Sequence, residues 1–272
     1  MWIEIFSYNF MIYAFIIGIL VALVTALISP FIVLNNQSML ADGLAHTSFL
    51  GFVIGVILTD QPIYIALIIA AFASFLIKLI STKASINNDA AIGVVSSLSF
   101  AIGLIIISVT KGFNVSIESL MTGSLLTTNI GDIIITSVLA VVTISFVLYY
   151  YRNLYQNVFD KENIVISRKK SIILDYALSM ISALIIVVGV KIVGALLVSS
   201  LIIFPTLIAT QFKRSFKATL VISVITSILT MFISIYISYL LDIPASSTVV
   251  VINALVLLGA YLYKFIGRSL IK

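Results

Sequence analysis

Apolar runs of roughly 17 to 25 residues, the length a bilayer's hydrocarbon core demands of a helix, recur from one end of this chain to the other. About nine can be marked, at 10–34, 41–58, 63–80, 91–109, 133–151, 172–190, 194–209, 220–241 and 248–266. Backbone polar groups find no partner in hydrocarbon, so only segments that satisfy their own hydrogen bonds can cross it, and runs of this length without strict alternation do so as helices. The expected fold is therefore all-α, a polytopic transmembrane helical bundle. Only Gly189-Val-Lys-Ile-Val-Gly194 separates the sixth and seventh runs; a count of eight, with one segment re-entrant, is the alternative. With 62% hydrophobic and 9% charged residues, no water-soluble surface can be built.

Charge then sets the orientation. Lys78 with Lys83, the cluster Arg152 to Lys170, Lys213-Arg214 with Lys217, and Lys264 with Arg268 and Lys272 fall in alternate connections, which the positive-inside rule assigns to the cytoplasm. The connections around Asp60, from Lys111 to Asp132, and at Asp242-Ile-Pro-Ala-Ser-Ser247 carry little net positive charge and are expected outside. With nine spans the N-terminus is outside and the C-terminus cytoplasmic. The net charge of +5 would suggest a nucleic-acid partner in a soluble protein; here it reads as a topology signal, and the expected surroundings are lipid. Met-Trp-Ile-Glu lacks a basic region ahead of the first run, so that run is expected to stay as a span and not to be removed as a signal. The polar stretches 110–132 and 152–171 are each only about twenty residues long. One membrane domain over 1–272 is expected, with room for a short surface helix in Ser116-Ile-Glu-Ser-Leu-Met-Thr-Gly123.

Chemistry concentrates in Gln37-Ser-Met-Leu-Ala-Asp42-Gly-Leu-Ala-His46-Thr-Ser, which holds the single histidine of the chain and leads into the second run. Residues four apart share a helix face, so Asp42 and His46 project together. Ionisable groups within a membrane are costly and by default mark an ion path. Imidazole and carboxylate are both ligands for zinc, whereas a magnesium or calcium site calls for oxygens alone. Two copies about a two-fold axis would bring two Asp and two His together, the number zinc prefers. Release must stay quick in transport, so the expected site is a transient one in a translocation path, with no permanently bound cofactor. The bland alternative is an Asp-His pair that neutralises itself in the packing. With no cysteine, disulfides and thiolate sites are excluded.

Other polar residues in the runs have ordinary readings. Asp175 and Lys191 lie near run ends and are expected to reach water, Asn253 to make an interhelical hydrogen bond, and Met39 and Met121 to pack. Gly43, Gly51 and Gly55 fall at spacings of eight and four, on one helix face where backbones can approach closely. Pro205 should kink the seventh run or free a carbonyl, a feature suited to a gate and equally common in static bundles. No Gly-x-x-x-x-Gly-Lys-Ser/Thr run exists, so the chain has no P-loop ATPase site of its own and any ATP must be hydrolysed by a partner.

Gln37-Ser-Met-Leu-Ala-Asp42-Gly-Leu-Ala-His46-Thr-Ser-Phe-Leu-Gly51 resembles the signature of the membrane subunits of bacterial ABC importers for zinc, manganese and iron. Phe159-Asp160-Lys-Glu162 and Val193-Gly-Ala-Leu-Leu-Val-Ser-Ser-Leu-Ile-Ile-Phe-Pro205-Thr-Leu-Ile-Ala209 agree with that family in order and spacing. The form Ala-Asp-x-Leu-Ala-His-x-Ser is more similar to zinc-type permeases than to the manganese type, so the resemblance leans towards zinc, with manganese or iron as the alternative. It implies the vitamin B12/metal-chelate permease fold, a homodimer, a cytoplasmic ABC ATPase dimer and an extracytoplasmic metal-binding protein as partners. The cytoplasmic segment with Phe159, Asp160 and Glu162 would dock the ATPase. Asn35 and Asn36 depart from the family, which usually carries a basic residue there, as does 164–168, which replaces small residues. The rivals are a secondary cation transporter, which would normally carry more intramembrane carboxylates, and an intramembrane enzyme. A metalloprotease of the His-Glu-x-x-His kind is excluded by the single His.

Overall fold

The structure, a computed structural model, describes residues 9–84, 86–110, 128–159 and 168–269. Asp160, Glu162, Met121 and the candidate surface helix at 116–123 lie outside the described residues. Nine helices make up the described chain: α1 (Asn9–Val33), α2 (Leu40–Leu58), α3 (Pro62–Lys83), α4 (Asn88–Val109), α5 (Ile130–Phe159), α6 (Arg168–Val193), α7 (Ala195–Gln211), α8 (Phe216–Leu241) and α9 (Ala245–Ser269). Eight are long and apolar enough to cross a membrane; α7, at 17 residues, is the short one. The uncertain boundary between the sixth and seventh runs resolves as a corner. Gly194 there takes φ 94°, a conformation open to glycine and strained for other residues. Beyond it α7 folds back along α6, since a Cβ on Gly189 would come within 2.6 Å of the Val198 side chain.

Side-chain contacts show that successive helices reverse direction. At one end of the bundle, Thr82 of α3 meets the Tyr176 hydroxyl of α6 at 3.2 Å. Phe31 of α1 packs edge-on to Phe216 of α8 with centroids 5.2 Å apart, and Lys264 of α9 donates to Gln211 of α7 at 2.7 Å. At the opposite end, Lys191 of α6 reaches Asp132 of α5 at 2.5 Å. Asn157 bonds to both Ser171 and Asp175 where α5 and α6 meet again at the first end, so these two helices are clasped at both ends.

Helix α2 is the most enclosed, and its glycines are the reason. A Cβ on Gly43 would lie 2.2 Å from Ile92 of α4, whereas one on Gly51 or Gly55 would lie 2.5 or 2.7 Å from the backbone of Ala66 or Pro62 in α3. The three were expected on one face; they serve two neighbours, because eight residues at 3.6 per turn advance a helix by a further fifth of a turn or so, about 80°. Helix α7 continues through the buried Pro205 without a break. Beside that proline, the Ser29 hydroxyl of α1 donates to the Ile202 carbonyl and meets Thr206, a polar link between helices of the kind that steadies a proline-bearing helix. Asn253 is fully buried, but its amide donates to Val249 in its own helix and its Oδ1 has no partner among the described residues, so the expected interhelical bond is not the one made.

Candidate functional site

The turn from α1 into α2 positions the pair. Gln37 N–H donates to Ile32, Asn36 N–H to Val33 and Leu40 N–H to Gln37, and Asn36 takes φ 56°, a left-handed conformation that Asn tolerates better than most residues. This explains what an asparagine accomplishes at 36. Leu40 then opens α2, placing Asp42 in its first turn, where unpaired N–H groups and the helix dipole favour a carboxylate. His46 follows one turn later, about 6 Å along the axis.

Most of α2 is buried, yet from its cap Met39 it keeps an open stripe at Asp42, His46, Leu50 and Ile54, at steps of three and four, before Val56, Ile57 and Leu58 emerge at its end. The Asp42 side chain is 57% exposed and that of His46 31%. Their Nε2 and Oδ2 atoms stand 3.9 Å apart, too far for a hydrogen bond and close enough for one ion to touch both. His46 Nδ1 is buried without a hydrogen-bond partner among the described residues. The two side chains stand near enough to pair as ions and share no hydrogen bond. No group of three or more His, Cys, Asp or Glu that could hold a metal occurs among the described residues. The chain brings two donors to an open face, and four-coordinate binding needs donors from elsewhere.

The other sequence candidates sit apart from the pair. Phe159 ends α5 at 55% exposure, with its ring 5.0 Å from Tyr155 and 5.5 Å from Phe216. Through Phe216 this cluster reaches Phe31, near the end of α1. Pro205 is enclosed in α7.

Three features were not foreseen from the sequence. Asp132, whose side chain is 5% exposed, holds Lys191 in an ion pair; Asn129 and Asp132 also exchange backbone-to-side-chain bonds at 3.3 and 3.0 Å, a reciprocal cap on α5. The Asn-x-x-Asp spacing carries the cap in the sequence, but nothing local announces a lysine 59 residues away. Asn157 and its partners form the second. The third is Phe100 of α4, whose ring lies against His46.

The profile of the ABC 3 transport family matches residues 7–264. A probable metal transport system membrane protein of Thermotoga maritima is 27% identical, over 92% of this chain and 88% of that protein. The high-affinity zinc uptake system membrane protein ZnuB of Haemophilus influenzae is 23% identical, over 74% of this chain and 77% of its own. The manganese transport system membrane protein MntC of Listeria monocytogenes is 25% identical, over 94% and 91%. Among solved structures, PsaBC from Streptococcus pneumoniae in complex with Fab superposes with a TM-score of 0.82 at 23% identity, covering 96% of this chain and 95% of that one. An inward-facing conformation of a putative metal-chelate type ABC transporter gives 0.73 at 16% identity, over 93% and 86%. Both likenesses bear on the fold, which is the metal-chelate type of helical bundle expected from the sequence.

Proposed function

Because the chain belongs to the ABC 3 transport family, we propose that it is the membrane-spanning subunit of an ATP-driven importer of divalent metal ions, with zinc as its cargo. The observation that carries this reading is the Asp42–His46 pair on an open stripe of a mostly enclosed helix. Two such stripes facing across a two-fold axis supply two carboxylates and two imidazoles, enough for a tetrahedral ion. The ion is substrate, so the site has to release it, and a gate completed only between two copies can do so by small movements of either.

Energy comes from outside the chain, from a cytoplasmic ATPase dimer, and the ion is delivered by an extracytoplasmic metal-binding protein. Docking is assigned to the cytoplasmic segment at Phe159, Asp160 and Glu162, of which Phe159 presents an exposed ring at the end of α5. The basic residues Lys213, Arg214, Lys217 and Lys264 lie at the same end of the bundle as Phe159, which supports placing that end, and the C-terminus, in the cytoplasm. Pro205 is assigned a gating role only through its place in α7 beside the polar link to α1.

Zinc is preferred over manganese on the local sequence, whose form is of the zinc type; imidazole and carboxylate are accepted by both metals. Relatives named for each metal occur at similar identity. The test is metal accumulation in cells lacking other zinc importers, with the chain, its ATPase and its binding protein expressed together. Restored zinc accumulation, unaffected by a tenfold excess of manganese, supports the proposal. Restored manganese accumulation alone moves the cargo to manganese, and restoration of neither removes the importer reading.

A further inference from the structure

We infer that Phe100 of α4 is the positioning residue for the His46 imidazole, and so tunes how firmly the site holds its ion. The inference rests on the reading of Asp42 and His46 as donors given above. A metal-binding imidazole usually takes its orientation from a hydrogen bond made by its other nitrogen, which also raises its basicity as a ligand. His46 has no such bond among the described residues: Nδ1 is buried without a partner, and Nε2 is 3.9 Å from Asp42. What the ring does have is an edge-on contact with Phe100, at 5.0 Å between centroids and 68° between planes.

Phe100 is itself held. Its ring lies 5.0 Å from that of Phe49, which follows His46 by three residues on α2, so α2 grips the α4 ring at two successive positions. Phe49 is 3% exposed and cannot retreat: a Cβ on Gly103 would already lie 2.9 Å from its ring. The orientation of the imidazole is thereby set across the α2–α4 contact, whereas the Asp42 side chain, 57% exposed, makes no hydrogen bond to α4 among the described residues. A small displacement of α4 along α2 turns His46 without acting on Asp42, which changes the bite of the pair although no hydrogen bond joins α4 to either side chain among the described residues. An imidazole oriented by ring packing, with no acceptor behind it, is a weaker and more readily released ligand than one oriented by a carboxylate, as a transport site requires.

Cobalt(II) serves as the probe, because its visible ligand-field bands report coordination geometry where zinc is silent. The assembled complex in nanodiscs is titrated with Co2+ for the parent, Phe100→Tyr and Phe100→Leu, with Asp42→Ala as the reference for loss of the site. The parent and Phe100→Tyr should share one band envelope. Phe100→Leu should shift the bands and bind about three- to tenfold more weakly, the range that loss of one aromatic pair allows. Should Phe100→Leu fail to assemble, Phe100→Met replaces it in the same titration. Unchanged bands and affinity in the leucine or methionine variant would overturn the inference while leaving the site intact. Parent bands indifferent to Asp42→Ala would overturn the donor reading itself, and this inference with it.

Discussion

Replacing Lys191 by Met should strand a carboxylate. The Asp132 side chain is 5% exposed, and with the ammonium at 2.5 Å removed its remaining donor among the described residues is the Asn129 N–H at 3.3 Å. Removing one partner of a buried ion pair costs about 3–5 kcal/mol. Lys191 is 35% exposed, however, so water at the membrane face can take over part of its role, and the expected destabilisation falls to about 1–3 kcal/mol. In an equilibrium unfolding titration in mixed micelles this is roughly a five- to 150-fold change in the unfolding constant. Lys191→Met combined with Asp132→Asn should recover most of the loss, because the amide can still accept from Asn129 and no charge is left unpaired. A single variant within about 0.5 kcal/mol of the parent, with no coupling in the double-mutant cycle, would refute the ion pair as a clasp between α5 and α6.

Gly51→Val should destabilise by about 1–3 kcal/mol in the same titration, because even a Cβ there would lie 2.5 Å from the Ala66 backbone, whereas Gly259→Ala, in open space, should be neutral or stabilising. A cysteine at Ser247 should react with an impermeant thiol reagent added outside intact cells and one at Ser215 should not; the opposite pattern would invert the proposed orientation. Deleting 159–162 should abolish ATP-dependent uptake in the reconstituted complex while the bundle still folds, and undiminished uptake would place ATPase docking elsewhere.

How much of this was legible in the sequence follows from the range of the forces involved. Span length is local and strong, so each of the nine runs became a helix, with ends within about four residues of the runs except where 133–151 extends to Phe159; even the doubtful seventh run, 194–209, became α7, Ala195–Gln211. The i, i+4 placement of Asp42 and His46 is likewise a property of one helix. Which neighbour a helix packs against is not: Gly43 turns to α4 and Gly51 to α3, and Asn253 folds its amide back on its own helix. In a chain this uniformly apolar, hydropathy does not distinguish one partner helix from another. The Asp132–Lys191 pair and the ring of Phe100 against His46 depend on such choices, joining positions 59 and 54 residues apart, and no pattern in the sequence singles them out.

If Asp42 and His46 together carry the ion, transport by Asp42→Ala and His46→Ala must fail. Radioactive zinc uptake is measured in cells lacking other zinc importers, alongside co-purification of each variant with its ATPase. Both variants should assemble, since neither side chain is needed to build the helices, and both should lose uptake; His46→Gln should fare little better, because an amide oxygen is a poor substitute for imidazole nitrogen at zinc. Near-normal zinc uptake by an assembled His46→Ala complex would remove His46 from the ion path and return the pair to ordinary packing.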